Sequence, residues 1–270
     1  MKYVEQIPFF EHARRNKKFN MQAAHSHKKH ELYFLEKGNT KYFIGSELYL
    51  LSPGELVFVP KGIFHKTNSD ECREVERILL SFDDELVGKE YTSYIEELKN
   101  NKYIRLSADK ILIVQELLQK IEKEINCMNK GYLDMQKLYL RELLIFLCRH
   151  RKADKKPEYG SSYSIIQNAA RYISNNCNCD LSLDTLSVKY AMSPGHFSKQ
   201  FKSITGIGLS EYINIVRVTA AEKLLKSTNK TITQIATECG FNDSNYFAAV
   251  FKKIKGITPK KYSLLYKERK

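Results

Sequence analysis

The segment FKSITGIGLSEY at residues 201–212 returns fifty positions later as FKKIKGITPKKY at 251–262, with Phe, Lys, Ile, Gly, Ile and Tyr coinciding. Further upstream Leu186 pairs with Ile235 at an offset of 49, so the duplication reaches back beyond these two segments. A unit of this size repeated only twice is too little for a solenoid and describes two similar small modules.

Both modules are laid out as a short helix, a tight turn and a second capped helix, the plan of a helix-turn-helix. In the first, the sequence predicts a helix over Leu183–Tyr190, a turn at Ala191-Met192, and a restart with Ser193 as N-cap and Pro194 at the first helical position. In the second, Thr231 and Gln234 form a capping box, Gly240 supplies a left-handed C-cap, and Asp243 caps the next helix. Phe197 with Phe201, and Phe247 with Phe251, stand four apart and pin each second helix to its core. The opposite face carries Gly195, His196, Ser198, Lys199 and Lys202 in the first copy. In the second it carries Ser244, Asn245, Ala248, Ala249 and Lys252, with Lys253 beside them.

Leu209 to Ser227 reads as one connecting helix with Ile213, Val216, Ala220, Leu224 and Leu225 on its buried side. At about 1.5 Å per residue it spans roughly 28 Å, near the roughly 34 Å between successive major-groove faces of a duplex. The spacing predicts one chain seated in two adjacent major grooves. Charge agrees with that partner. Residues 163–270 hold 16 basic against 7 acidic side chains, whereas residues 1–148 are nearly balanced at 23 and 22. A compact cationic block on a neutral one suits a polyanion, because Lys and Arg displace condensed counterions from phosphates.

The runs LSLDTLSVKYAMSPGHFSKQFKSITG and TITQIATECGFNDSNYFAAVFKKIKGITPKKY, with Arg217 and Ala221-Glu222-Lys223-Leu224-Leu225 between them, resemble the AraC/XylS family of transcriptional regulators over residues 163–262. The resemblance implies promoter binding through two helix-turn-helix units, contact with RNA polymerase, and usually activation. Three positions depart from the family pattern: Ser187 and Ala249 replace the usual Ala and Arg, and Ser263 follows the final Tyr where Arg is common. Ala249 has no group to hydrogen-bond a base, so most base discrimination is expected from the first copy. Lys199 is expected to reach guanine and His196 a base or phosphate. Lys202, Lys252 and Lys253 are expected to grip phosphates, which position without specifying.

The N-terminal part is built differently. ELYFLEKGN, KYFIGSELYLLSPG, ELVFVPKG and ERILLSF alternate apolar residues with period two between Gly and Pro turn signals, the pattern of an antiparallel sandwich or small barrel. His25-x-His27-x-x-x-Glu31, then Gly38, Gly54, Pro60, Gly62 and His65, resemble the two cupin motifs in spacing; Phe19 stands where a Gly is usual, and Asn68 arrives one residue early. Cupin-like domains are common in this regulator family, where the resemblance implies a small-molecule pocket, often without metal. His25, His27, Glu31, His65, Tyr33 and Tyr42 are the expected effector-binding residues. No cofactor is favoured; a divalent metal, if held, would take His25, His27, Glu31 and His65. Tyr33, Tyr42, Phe43 and Phe58 fit either barrel lining or core filling. His30, on the opposite strand face, is expected in solvent, as are Glu47 and Glu55.

From Ala108 the period becomes helical. Ile111, Val114, Leu117, Leu118, Ile121 and Ile125 form one stripe, and Leu133, Gln136, Leu140, Leu143, Leu144 and Leu147 form another. These helices could cover the barrel edge or pair with a second copy. RHRKADKKPEYGSS, residues 149–162, reads as a linker. The expected organisation is a cupin-like effector domain over 1–108, amphipathic helices over 109–148 as candidates for dimerisation, that linker, and an all-α DNA-binding domain over 163–270.

No run of roughly 18 apolar residues and no secretion signal appears, and six scattered cysteines match a reducing compartment, so a cytoplasmic homodimer is expected. Cys177 and Cys179 lack further ligands at zinc spacing. No catalytic constellation stands out, and the chain is not expected to be an enzyme. The competing functions are a metal-dependent cupin enzyme on a DNA-binding tail, and a nucleoid-type protein that binds without sequence preference.

Overall fold

The computed structural model describes residues 8–15, 21, 24–68, 74–152 and 160–267. Phe19, Cys72 and residues 153–159 of the expected linker lie outside them. The chain divides into two compact units, Met1–Glu158 and Tyr159–Lys270.

The first unit opens with β1 (Phe9–Arg15), β2 (His30–Lys37), β3 (Thr40–Ile44), β4 (Glu47–Leu51), β5 (Leu56–Val59), β6 (His65–Asn68) and β7 (Val75–Phe82). Helices α1 (Asp84–Val87) and α2 (Thr92–Asn100), the short β8 (Tyr103–Ile104), α3 (Ala108–Cys127) and α4 (Tyr132–His150) complete it. All pairings are antiparallel, in a five-stranded sheet ordered β1-β7-β2-β5-β8 and a three-stranded sheet ordered β4-β3-β6. Strand alternation gives the larger sheet two buried faces. Tyr33, Leu35, Val57, Val59 and Val75 turn inward against Tyr42, Ile44 and Leu51 of the smaller sheet. Their neighbours Leu32, Phe34, Phe58, Ile78, Leu80 and Phe82 turn outward against Val114, Leu118, Leu140, Leu143 and Leu147 of the helices.

That second layer corrects several expectations. The helices 109–148 belong to the same unit as the barrel and cover a sheet face, one of the two roles expected of them, and α1 and α2 lie between the last long strand and those helices. His30 does lie on the opposite strand face, but that face is covered. The ring is fully buried, stacks on Phe58, accepts the Lys61 N–H and contacts Asp84. Glu55 is also buried, capping Ser52 N–H and pairing with Arg105; Glu47 opens β4, half-buried. The linker is shorter than 149–162 at both ends: Arg149 and His150 form the last turn of α4, where basic groups suit the helix dipole, and α5 starts at Ser161.

The second unit is all helix: α5 (Ser161–Asn175), α6 (Leu183–Lys189), α7 (Pro194–Thr205), α8 (Leu209–Ser227), α9 (Ile232–Glu238), α10 (Ser244–Lys255) and α11 (Pro259–Lys267). The repeat is visible in its packing. Phe197, Phe201 and Tyr212 make a chain of ring contacts that Phe247, Phe251 and Tyr262 reproduce. α8 serves both cores, so its buried side is not the single stripe expected. Leu209, Tyr212, Ile213, Ile215, Val218, Ala221 and Leu225 are buried, while Val216, Ala220 and Leu224 are only half-buried.

Candidate functional sites

The two helix-turn-helix pairs are α6–α7 and α9–α10. The second is capped as its sequence demands. Thr231 Oγ1 accepts the Gln234 N–H at 3.2 Å, the Gln234 side chain accepts the Thr231 N–H at 2.8 Å, and Asp243 Oδ1 accepts from Asn245 and Tyr246. In the first, Ser193 occupies the N-cap position without a side-chain hydrogen bond, so Pro194 carries the start. Both turns close the same way: Met192 N–H reaches Ser187 O at 2.9 Å, and Phe241 N–H reaches Ala236 O at 2.9 Å.

On α7, Gly195, His196, Lys199 and Lys202 are exposed and Ser198 is half-buried, with Phe197 and Phe201 turned inward. On α10, Asn245, Ala249, Lys252 and Lys253 are exposed and Ser244 and Ala248 half-buried, with Phe247 and Phe251 inward. Each set therefore lies on the side of its helix away from the core. Tyr246 was missed: it is 54% exposed on the first turn of α10, and its hydroxyl accepts from Asn214 Nδ2 at 3.0 Å. Cys177 and Cys179, on the loop after α5, offer their backbone carbonyls to Arg217 of α8 rather than thiolates to a metal.

In the first unit His25, His27 and His65 converge, each placing one ring nitrogen within 4.8 Å of the others. His25 is brought there by an isolated bridge to His65, and Glu31 enters from β2. Its Oε2 meets His27 Nε2 at 2.9 Å, and its Oε1 accepts the Tyr42 hydroxyl at 2.6 Å. The hydrogen bond to Glu31 raises the His27 pKa above the ordinary value, against the effect of burial. Its Nδ1 lies 2.7 Å from the Lys29 carbonyl oxygen, which fixes the ring with Nε2 toward Glu31. Burial alone would raise the Glu31 pKa, but the hydrogen bonds from His27 and Tyr42 help to outweigh it and lower it below the ordinary value.

His65 behaves oppositely: burial lowers its pKa to about 4. Its Nδ1 lies 3.0 Å from the Ile63 carbonyl, which only accepts, so the proton sits there and Nε2 is a bare lone pair. That Nε2 is buried without a partner and faces Glu31 Oε2 at 3.8 Å. Two facing lone pairs favour a cation between them, so the donor set fits a divalent metal.

Beside this cluster, between the sheets, lies a cavity of about 130 Å³. His25, Glu31, Tyr33 and Tyr42 line it, so the expected effector residues are brought together, with His27 and His65 on its flank. Arg15, Arg77, Thr40 and Thr67 also line it and escaped the sequence reading. A signal for Arg77 was present: it keeps the inward phase of Val75 and Leu79.

A helix-turn-helix domain family model matches residues 186–264, and a cupin domain family model matches residues 18–76. The HTH-type transcriptional activator RhaR of Mannheimia succiniciproducens is 23% identical over 238 residues, covering 88% of this chain and 86% of that protein. RhaR of Salmonella typhimurium is 24% identical over 243 residues, covering 89% and 86%. Among solved structures, the C-terminal domain of AraT, a response regulator from Geobacillus stearothermophilus, is 29% identical with a TM-score of 0.37, covering 39% of this chain and 88% of that one. These similarities support a cupin domain followed on one chain by an AraC-type helix-turn-helix domain, and with it the role of a DNA-binding transcription regulator.

Proposed function

We propose that the chain is a transcriptional activator of the cytoplasm that reads promoter DNA with α7 and α10 and is controlled by a small molecule in the cavity of the first unit. The observation that carries this reading is the duplicated, outward-facing basic surface on α7 and α10, joined on one chain to a barrel with a polar cavity. Lys199 is assigned to a guanine edge, His196 to a base or a phosphate, and Lys202, Lys252 and Lys253 to phosphates. RNA polymerase is the further partner taken over from the family resemblance. The homodimer is assigned to the outer face of α3 and α4, where Leu112 and Leu138 are more than half exposed. The relatives' designation as activators supports regulation over catalysis.

A saturation scan of operator positions tests the interface. Substitutions facing α7 are expected to cost about 1–3 kcal/mol each, and those facing α10 less. A larger cost opposite α10 would reverse the assignment, and operator-independent binding with the same salt slope would reduce the protein to a nucleoid-type binder.

A second reading is favoured by the partnerless His65 Nε2: a divalent metal held by His25, His27, Glu31 and His65. Metal analysis of the purified chain beside a His27→Ala variant tests it, with stoichiometric metal expected only in the parent. Any turnover lost in that variant would turn the reading toward a cupin enzyme.

A further inference from the structure

We infer that the cavity of the first unit is built for a small carboxylate, whose head is gripped by Arg77 and Arg15 and whose organic part lies against Val75, Leu79 and Met21. The inference rests on the reading of this cavity as the effector site and adds the chemical class of the effector.

Arginine is almost never fully buried unless its charge and donors are matched. Arg77 projects inward from β7 and is only 7% exposed. Its Nη2 donates to Glu11 Oε2 at 2.8 Å, but its Nη1 is buried with no hydrogen-bond partner. The guanidinium carbon sits 5.7 Å from the centre of the Tyr33 ring, which orients the fork at the cavity. Arg15 enters the same cavity from β1, whose register places Ala13 opposite Arg77 and Arg15 opposite Val75, one diagonal step away. The two cations are close enough that Arg77, after burial itself, lowers the Arg15 pKa from the ordinary value.

Among the described residues, Glu31 and Glu11 leave the second arm of the Arg77 fork unmatched. Glu31 is taken up by Tyr42 and His27. Glu11 lies on β1 with its side chain 39% exposed and reaches only one arm of the Arg77 fork. Two converging guanidiniums with an unused donor form a receptor for a planar anion that accepts two hydrogen bonds, which a carboxylate does. Thr40 and Thr67 add hydroxyls on the cavity wall, and Met21, Val75 and Leu79 give it an apolar side. The volume is close to the roughly 150 Å³ of an engineered cavity that admits benzene, so the occupant has about six heavy atoms or few more.

The test uses the full chain, freed of metal with a chelator, and matched acid and amide pairs: propionate with propionamide, pyruvate with pyruvamide, and benzoate with benzamide. Binding is read by calorimetry and thermal shift at fixed pH and ionic strength. At least one carboxylate is expected to bind about tenfold or more tightly than its amide. Arg77→Met is expected to abolish that preference, Arg77→Lys to restore part of it, and Arg15→Met to weaken it, with circular dichroism confirming that each variant folds. Equal binding of acids and amides, no acid binding at all, or an acid preference surviving Arg77→Met would each overturn the inference. Operator affinity measured with and without the same compounds separates this from the sensor reading. An Arg77-dependent acid that leaves operator affinity unchanged upholds the carboxylate site and removes its role as sensor. A neutral amide that shifts operator affinity does the reverse.

Discussion

Ala191 holds a φ of +52° in the turn between α6 and α7, where its counterpart Gly240 holds +85° in the turn between α9 and α10. The left-handed region costs an L side chain roughly 1–2 kcal/mol, and Gly nothing. Ala191 is exposed, so no packing compensates. Ala191→Gly is therefore expected to stabilise the first helix-turn-helix by about 1 kcal/mol. Gly240→Ala is expected to do more harm than the backbone term alone, because a Cβ there would lie 2.4 Å from the Cys177 carbonyl oxygen. Amide hydrogen exchange across α6–α7 and α9–α10 measures both, with exchange about fivefold slower in the first variant and much faster in the second. At this scale the sequence was uneven evidence. The capping box and the aromatic pairs announce themselves because local spacing determines them. The burial of His30 and Glu55 does not, because the helices that cover the first and the Arg105 that pairs with the second are remote in sequence.

Among the elements, β2 and β7 were legible because short runs rich in apolar and aromatic residues stand between turn signals, but periodicity could not tell that both faces are covered, one by the opposite sheet and one by helices. β6 was not legible: His65-Lys66-Thr67-Asn68 has no apolar alternation, since a strand that borders a polar cavity is selected for other chemistry. α8 was read correctly as one helix but with one buried face, although an element shared between two cores needs two. Its Glu222 ties α8 to α10 and α11 by accepting from Lys226, Lys255 and Tyr262. Burial alone would raise the Glu222 pKa, but those donors outweigh it and lower it to about 2. With the folded value below the ordinary 4.5, the stabilisation is fully present above about pH 4.5 and is lost as pH falls toward 2. The side chain is only partly enclosed, so solvent screening leaves about 1–2 kcal/mol. Glu222→Gln is expected to speed exchange in α8 and α11 by roughly 5–30 fold at pH 7. The parent and variant curves should meet near pH 2; a constant gap across that range would assign the effect to packing instead of charge.

For the whole molecule the decisive quantity is the rigidity between the two reading helices. α8 is an uninterrupted helix of 19 residues that packs on α7 at one end and on α9, α10 and α11 at the other. A rod of roughly 28 Å does not lengthen, so the two modules accept only a narrow separation between their grooves. This distinguishes one chain bridging two grooves from two chains each using one. If separate chains on flexible joints made the two contacts, inserting 5 base pairs between the half-contacts would weaken binding and inserting 10 would restore it, because the faces realign after a full turn. With both contacts made by one chain, either insertion forfeits a module, and each is expected to cost at least about tenfold in affinity, the worth of one good base contact. Gel-shift titrations of the three operators at fixed salt decide the matter. Recovery at 10 base pairs would mean that α8 does not hold the modules on one duplex face, and the second helix-turn-helix would then be free for another partner.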